Sequence, residues 1–349
     1  MRSRGALTFV AVVVGGAVTG FLAERALVHR RVEPRGTRPS LGSLAGELEV
    51  VDGPDGSRVA IECYGPPDAP QLVLSHGWVC TGRVWHEQVR GLADRYRLIT
   101  YDQLGHGRTT PPGSGTYSLD LLGDTLRLVV EVAARPGPLV LAGHSMGGMS
   151  ILNAVRRHGD LLDDRLRGVV LLSTTSHAQP LRRLSFDASI QGWARLDRAV
   201  RRLVPRLRDP RLIDLSDRAT SATSDLSHLV TRWVSTGPGA DPSVTDFTQQ
   251  LTLDSGVDVV LGLAEAILGV DEDAGLDRLG ELDVPTSIIV GTHDRLTPLS
   301  LSERMAQRSE GELIVLEAVG HMAPLEAPPE INAVLRRHLD RAATAGVAA

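Results

Sequence analysis

One segment of ten residues limits the possible folds of this chain more than any other. At 139–148 the sequence reads LVLAGHSMGG, an apolar run that enters a Gly-x-Ser-x-Gly motif just before a helical pattern begins. Gly143 and Gly147 leave room for a sharp turn from strand to helix, which would hold Ser145 in a strained and exposed position. The start of a helix also supplies free N–H groups and partial positive charge beside the serine. The segment therefore predicts that Ser145 is a nucleophile rather than an ordinary turn serine.

Similar apolar runs recur along the chain and alternate with longer amphipathic stretches. This alternation is typical of a sheet that is covered by helices on both faces, an α/β fold. The first two runs flank the turn residues DGPDGS and predict an antiparallel hairpin, while most later runs are continuous in Val, Leu and Ile, as in buried parallel strands. We predict a mostly parallel sheet of eight strands at 48–51, 58–63, 72–75, 98–101, 139–142, 169–172, 287–290 and 313–316.

The strand pattern stops between the sixth and seventh predicted strands, where Arg-rich helical patterns replace it. Because this insertion is far longer than an ordinary connection, we expect a helical cap over the site. Its Leu, Val and Trp residues, including Trp193 and Trp233, suit an apolar pocket and would equally serve to pack the cap on the core. The predicted organisation is an apolar segment at 1–30, a linker at 31–46, a core formed by 47–174 and 283–349, and the cap at 175–282.

An uncharged apolar stretch at 6–23 lies near the N-terminus and is flanked by arginines on both sides. As a helix with a rise of about 1.5 Å per residue it would reach about 27 Å, close to the hydrocarbon thickness of a bilayer. We prefer a retained membrane anchor over a cleaved signal peptide or a buried core helix. The larger number of arginines on the downstream side favours a cytoplasmic location for the main domain and leaves the opposite orientation open.

Composition and charge make several functional classes improbable. The net charge is −5 and the core has no dense basic block, so we expect no nucleic-acid partner. The basic residues are all Arg, whereas Schiff-base chemistry and P-loops need a lysine amine. Cys63 and Cys80 lack C-x-x-C spacing and are expected to be buried free thiols. Because no H-E-x-x-H or EF-hand spacing occurs, we expect neither a metal nor a cofactor.

A serine hydroxyl is a poor nucleophile near neutral pH, so it needs a base that is itself oriented by a carboxylate. Asp294 follows the predicted strand at 287–290 and His321 follows the last strand, so both should lie at the carboxyl edge of the sheet, where ligands of open α/β sheets bind. Asp283 is an alternative acid, but it precedes its strand and would lie at the opposite edge. The other candidate bases do not follow the final strand: His106, His144 and His293.

Two backbone N–H groups are candidates for binding the oxyanion of a tetrahedral intermediate, where losing one donor typically costs about 3 kcal/mol. Met146 directly follows the proposed nucleophile. Trp78 follows the predicted strand at 72–75, and Gly77 before it permits close backbone approach. We expect His76 to brace this loop rather than to act as a base.

Together the motifs resemble those of the α/β-hydrolase superfamily over roughly residues 47–340. More narrowly, the sequence is similar to membrane-anchored α/β hydrolases of GC-rich actinobacteria. The resemblance implies an esterase- or lipase-like site under a lid, with structural roles for Asp102 and His106. Ser145 stands where haloalkane dehalogenases and epoxide hydrolases carry Asp, which argues against both activities. The matching motifs are HGW at 76–78, YDQLGHGRT at 101–109, GHSMGG at 143–148, GTHDRLTP at 291–298 and GHM at 320–322.

We therefore expect a serine hydrolase that cleaves a carboxylic ester through an acyl-Ser145 intermediate, with water activated by His321. An apolar, lipid-like acyl group is favoured. Acyl transfer to an alcohol is one alternative, and the perhydrolase-like activity of cofactor-free haloperoxidases is another, since both use the same triad. A more remote alternative is a catalytically inactive, membrane-tethered binding scaffold.

Overall fold

The structure is a computed structural model that describes residues 40–177, residue 228 and residues 231–347. The predicted membrane anchor at 6–23 lies outside these residues, as do most of the predicted linker and much of the predicted cap, including Trp193. Within the described part of the chain, no helix is long and apolar enough to cross a bilayer.

Eight strands form a single sheet in the order β1-β2-β4-β3-β5-β6-β7-β8. Strand β2 pairs antiparallel with β1 and with β4, and all other neighbours in the sheet are parallel. The predicted eight-stranded, mostly parallel sheet is thus confirmed, and each strand extends beyond its predicted range at one or both ends. The strands are β1 Glu47–Asp52, β2 Arg58–Tyr64, β3 Gln71–Ser75, β4 Arg97–Tyr101, β5 Leu139–His144, β6 Leu166–Leu172, β7 Thr286–Gly291 and β8 Glu312–Leu316.

Helices cover both faces of the sheet, as the sequence predicts. Two short 3₁₀ turns, Pro54–Gly56 and Gly82–Trp85, precede the first α-helix. The α-helices with fully described bounds are α1 His86–Leu92, α2 Leu119–Ala133, α3 Met146–Arg157, α4 Gly159–Leu162, α5 Pro242–Asp254, α6 Val257–Leu268, α7 Asp273–Glu281, α8 Leu299–Ser309, α9 Ala323–Glu326 and α10 Pro328–Val347, and residues 231–235 are also helical.

The central strands are buried on both faces, which explains their continuous apolar sequences. Successive side chains of a strand point to opposite faces, so Leu72 and Leu74 of β3 join one core cluster while Val73 joins the other. Helices α1 and α10 contribute to the first cluster, and α2, α3 and α8 contribute to the second. The parallel strands end at a common edge, where Ser75 pairs with Gly143 and Gly291 pairs with Leu316. The loops that follow β3, β5, β7 and β8 therefore all leave from that edge.

Helix α7 falls within the predicted cap but packs as a core helix. Leu276 and Leu279 are buried in the same cluster as Val169 and Leu171 of β6. An amphipathic helical pattern indicates that one face is buried, but it does not indicate the surface that buries it. Because these two leucines pack in the core, we limit the proposed cap to residues that precede α7.

The insertion begins and ends at the same place on the core. His177 and Asp271 form an isolated antiparallel β-bridge. Next to this bridge, the Glu272 N–H donates to the Ser176 carbonyl at 2.7 Å. We therefore propose that the cap comprises the residues between His177 and Asp271.

Replacing Leu276 with alanine should lower the free energy of unfolding by about 2–5 kcal/mol, because a fully buried leucine loses its transfer free energy and leaves a cavity. Leu253, which is 59% exposed, provides a matched control. Leu253→Ala should change the free energy of unfolding by less than about 0.5 kcal/mol. Urea unfolding followed by tryptophan fluorescence measures both values. Equally small changes would contradict the assignment of α7 to the core.

Candidate active site

Ser145 occupies the turn between β5 and α3 with φ of 53° and ψ of −120°, a conformation that L-residues rarely adopt. Glycine is required on both sides of it. A Cβ atom on Gly143 would lie 2.6 Å from the Gly147 carbonyl carbon, and a Cβ atom on Gly147 would overlap the Ser75 carbonyl oxygen. Strain of this kind costs about 1–3 kcal/mol and persists only where surrounding contacts enforce it. Here the Ser145 N–H donates to the Leu172 carbonyl at 2.9 Å.

Asp294 and His321 form a buried pair on the loops after β7 and β8. The Nδ1 atom of His321 lies 3.0 Å from each carboxylate oxygen of Asp294. The backbone N–H groups of Leu296 and Thr297 donate to Oδ1 at 3.0 and 2.8 Å, and the Thr297 hydroxyl donates to Oδ2 at 2.7 Å. These bonds fix the carboxylate so that it receives the Nδ1–H of His321, which leaves Nε2 as the proton acceptor.

The protonation state of Asp294 follows from its partners. Burial raises the pKa of this carboxyl, but the charge and hydrogen bond of His321, together with the hydrogen bonds from Thr297, outweigh burial. The pKa therefore lies below its ordinary value, and the group is ionised at neutral pH.

His144 connects the serine turn to the loop that carries His321. Its Nε2 atom lies 2.8 Å from the His321 carbonyl oxygen, and the two ring centroids are 4.9 Å apart. Burial lowers the pKa of His144 to about 3, so its ring is neutral and Nε2–H is the donor. The ring therefore holds the His321 backbone next to Ser145.

The loop after β3 lies against the serine turn. A Cβ atom on Gly77 would be 3.2 Å from the Cβ atom of Ser145, so this glycine allows the two backbones to approach closely. Within residues 40–177 and 231–347, no hydrogen bond is donated by the backbone N–H of Trp78 or of Met146. Both donors that the sequence suggests thus belong to segments adjoining Ser145.

Two neutral histidines support this loop. His76 is fully buried, accepts the Gln103 N–H at Nε2 at 2.8 Å, and lies 2.7 Å through Nδ1 from the Gly77 carbonyl. Burial, and to a lesser extent the neighbouring His106, holds the pKa of His76 well below its ordinary value. His106 accepts the N–H of Val79 at 3.2 Å, and Val79 has a φ of 53°, which is unusual for a β-branched residue.

An apolar cluster adjoins the two candidate donors. Helix α6 contributes Val259 and Leu263, which lie within the proposed cap. Trp233 is not part of this cluster. It is 65% exposed, with the Arg295 guanidinium carbon 5.0 Å from its ring centroid. The buried members of the cluster are Leu104, Leu122, Met146, Val259 and Leu263, against which Trp78 and Tyr117 pack.

Among the described residues, one group has the spacing of a metal site. It lies at the neck of the insertion, the place where the two ends of the insertion meet at His177 and Asp271. Potential ligand atoms of His177, Asp271 and Asp273 lie within 4.8 Å of one another. The Asp273 carboxylate already receives both terminal nitrogens of Arg304, and Arg308 lies 3.6 Å from it. These guanidinium groups compensate the negative charge that a cation would need, so we assign no metal to the group.

The sequence analysis did not identify two residues that bond to the backbone around His321, namely His144 in a supporting role and Glu326. The sequence signal that could have found them is their closeness to the proposed catalytic residues, because each is a polar residue within five positions of Ser145 or His321.

Comparisons with known proteins all point to one family. A sequence profile described as alpha/beta hydrolase fold matches residues 70–328. The bifunctional esterase/perhydrolase DCH of Acinetobacter calcoaceticus is 26% identical over 80% of this chain and 94% of its own length. A Rhizobium rhizogenes protein, provisionally named as the carbamate hydrolase RutD, is 27% identical over 78% of this chain and 94% of its own length.

Among solved structures, a thermophilic esterase from Thermogutta terrifontis has a TM-score of 0.64 at 21% identity, covering 85% of this chain and 99% of that chain. A bromoperoxidase from Bacillus anthracis has a TM-score of 0.65 at 20% identity, covering 84% and 100%. These similarities concern the fold.

The turn at Ser145 yields a stability test. Gly147→Ala should lower the free energy of unfolding by about 1–3 kcal/mol or more, because the added methyl group meets backbone atoms that cannot rotate away. Gly239 is a matched control, since no atom lies within 4 Å of the position of its Cβ atom. Gly239→Ala should therefore leave stability within about 0.5 kcal/mol of wild type in urea unfolding. A Gly147→Ala protein as stable as the control would contradict the close packing of this turn.

Proposed function

The chain belongs to the α/β-hydrolase fold family, and on that premise we propose that it is a serine hydrolase that cleaves a carboxylic ester. The observations that carry the proposal are the strained turn at Ser145 and the buried His321–Asp294 pair, whose two Nδ1–oxygen distances are 3.0 Å. His144, which precedes Ser145, bonds to the His321 carbonyl and so links the two parts. A nucleophile at a strand-to-helix turn and a base oriented by an ionised carboxylate are the parts that acyl transfer to serine requires.

In the first half-reaction, Nε2 of His321 takes the proton of the Ser145 hydroxyl while Oγ attacks the ester carbonyl carbon. The oxyanion of the tetrahedral intermediate receives the backbone N–H groups of Trp78 and Met146. The intermediate then collapses, the bond to the alcohol oxygen breaks, and the His321 imidazolium gives its proton to that oxygen. Ser145 is left as an acyl ester, and Asp294 stays ionised throughout.

In the second half-reaction, His321 removes a proton from water, and the resulting hydroxide attacks the acyl carbonyl. Collapse of the second intermediate releases the carboxylic acid and returns the proton to Ser145. Hydrogen peroxide or an alcohol could replace water as the nucleophile without any change in the protein groups. The relative named as an esterase/perhydrolase, which matches this chain over 94% of its own length, supports perhydrolysis as the second candidate activity.

We further propose that the acyl group is apolar. The proposed oxyanion donors belong to Trp78 and Met146, whose side chains pack in a cluster with Val259 and Leu263 of α6. An acyl chain attached to Ser145 would therefore extend along an apolar surface. Attachment of the enzyme to a membrane through residues 6–23 stays part of this proposal on the evidence of the sequence.

The nucleophile and base are tested by labelling with a fluorophosphonate and by hydrolysis of p-nitrophenyl esters. Ser145→Ala and His321→Ala should each abolish labelling and lower kcat by on the order of a million-fold, because either change removes the nucleophile or its activation. His293 is a matched control, since it precedes Asp294 in sequence and, within the described residues, the only side-chain hydrogen bond of its ring is to Thr292. His293→Ala should retain labelling and most of kcat. Wild-type protein that is folded but takes no label would contradict the proposed function.

The apolar acyl surface is tested by enlarging it. Leu263→Ala should raise kcat/KM for p-nitrophenyl octanoate relative to the acetate ester by about 10-fold, since one methylene group in an apolar pocket is worth about 1–3 kcal/mol. Leu253→Ala, an equal change on an exposed position, should leave the ratio unchanged. A ratio that responds to neither substitution would place the acyl group elsewhere.

A further inference from the structure

Glu326 makes an unusual set of contacts directly beside the proposed base. It is the last residue of α9, a single helical turn that follows His321, and its side chain folds back toward the preceding loop. Oε1 accepts the N–H of Met322 at 3.1 Å. Oε2 accepts the N–H of Gly320 at 3.1 Å and the N–H of Gly237 at 2.7 Å. The first two donors are the amides on either side of His321.

These contacts fix the backbone that carries the imidazole. Burial raises the pKa of Glu326, and the three N–H donors oppose that change because they favour the ionised form. A carboxylate removed from water in this way is stable only while such donors face it, so it resists any movement of the amides around His321. Asp294 restrains the side chain of His321, whereas Glu326 restrains the main chain on both sides of it.

The third donor belongs to a segment inside the proposed cap, far from Glu326 in sequence. Gly237 is the partner of Glu326 in this segment, and the Ser235 carbonyl accepts the Met322 N–H at 3.0 Å. The same segment also reaches the loop of the proposed acid, because Arg295 donates to the carbonyl of Trp233 and lies over its ring. Residues 233–237 therefore contact both loops that carry the proposed acid and base.

We propose that Glu326 is a positioning residue that holds His321 in reach of Ser145 by binding the amides on both sides of it and joining them to Gly237. This inference rests on the proposed function, since it concerns the base of that reaction. The effect on rate is large because a displacement of about 1 Å in a reacting group can cost about 100-fold.

The test is Glu326→Gln, which keeps the size of the side chain but turns one acceptor oxygen into an NH₂ group that faces N–H donors. We expect kcat for a p-nitrophenyl ester to fall about 10- to 100-fold while KM stays within about threefold, the pattern of an interaction that matters in the transition state. The rate of fluorophosphonate labelling should fall by the same factor. Glu272→Gln is the control, because Glu272 is also a buried carboxylate, with Asn153 and Arg156 as partners, and it should retain kcat.

A double-mutant cycle separates positioning from general loosening of the structure. If Glu326 acts through His321, Glu326→Gln should not lower further the residual rate of the His321→Ala protein. An equal fall in both backgrounds would overturn the proposal, and so would a folded Glu326→Gln protein with the kcat of wild type.

Should Glu326→Gln fail to fold, Glu326→Asp takes its place. This variant keeps the charge but cannot reach all three amides, so the same fall in kcat and the same cycle apply, and a wild-type kcat would overturn the proposal. Failure of the proposed function looks different, because the folded wild type would then take no fluorophosphonate label.

Discussion

The contact of the first turn of α3 with the end of β3 determines the arrangement of the whole site. Gly147 lies so close to the Ser75 carbonyl that no side chain fits between them. The helix can therefore start directly at the edge of the sheet, with its N-terminal N–H groups next to Ser145. The strain at Ser145 is held by neighbouring backbone, since its N–H bonds to Leu172 and its carbonyl accepts the Thr174 hydroxyl at 2.6 Å.

The histidines around this turn have different chemical characters, although all of them are buried. It lowers the pKa of His144 to about 3 and that of His106 to about 4, and it lowers the pKa of His76 strongly as well. These three rings are neutral at physiological pH, and each bonds to a backbone group of a loop at the site. His321 differs because it faces a carboxylate, that of Asp294, which can stabilise an imidazolium as it forms. The neutral rings therefore set geometry, and the pair carries the proposed proton transfer.

The sequence predicted what depends on local pattern and chain order. Continuous apolar runs indicated the buried strands, and the glycines around Ser145 indicated the turn. The positions of Asp294 after β7 and of His321 after β8 made them candidates for the acid and base. In the structure, Nδ1 of His321 lies 3.0 Å from the Asp294 carboxylate. The bond between Glu326 and Gly237 was not predictable, because it joins residues 89 positions apart and only the folded insertion brings them together. Similarly, the amphipathic pattern around Leu276 predicted that one face of this helix is buried. Whether the cap or the core buries that face depends on tertiary contacts, which the pattern does not contain.

Several described parts of the insertion are attached to the core, which limits how the proposed acyl surface can vary. The neck is joined by the bridge between His177 and Asp271, and residues 233–237 are bonded to the loops of the proposed acid and base. Helix α6 packs Leu263 into the cluster that includes Met146. Changes near the bridge or residues 233–237 would disturb the neck or the loops of the proposed acid and base, whereas Leu263 of α6 lies in an apolar cluster. Substitution of Leu263 should therefore change the proposed acyl preference while the positions of Asp294 and His321 are kept.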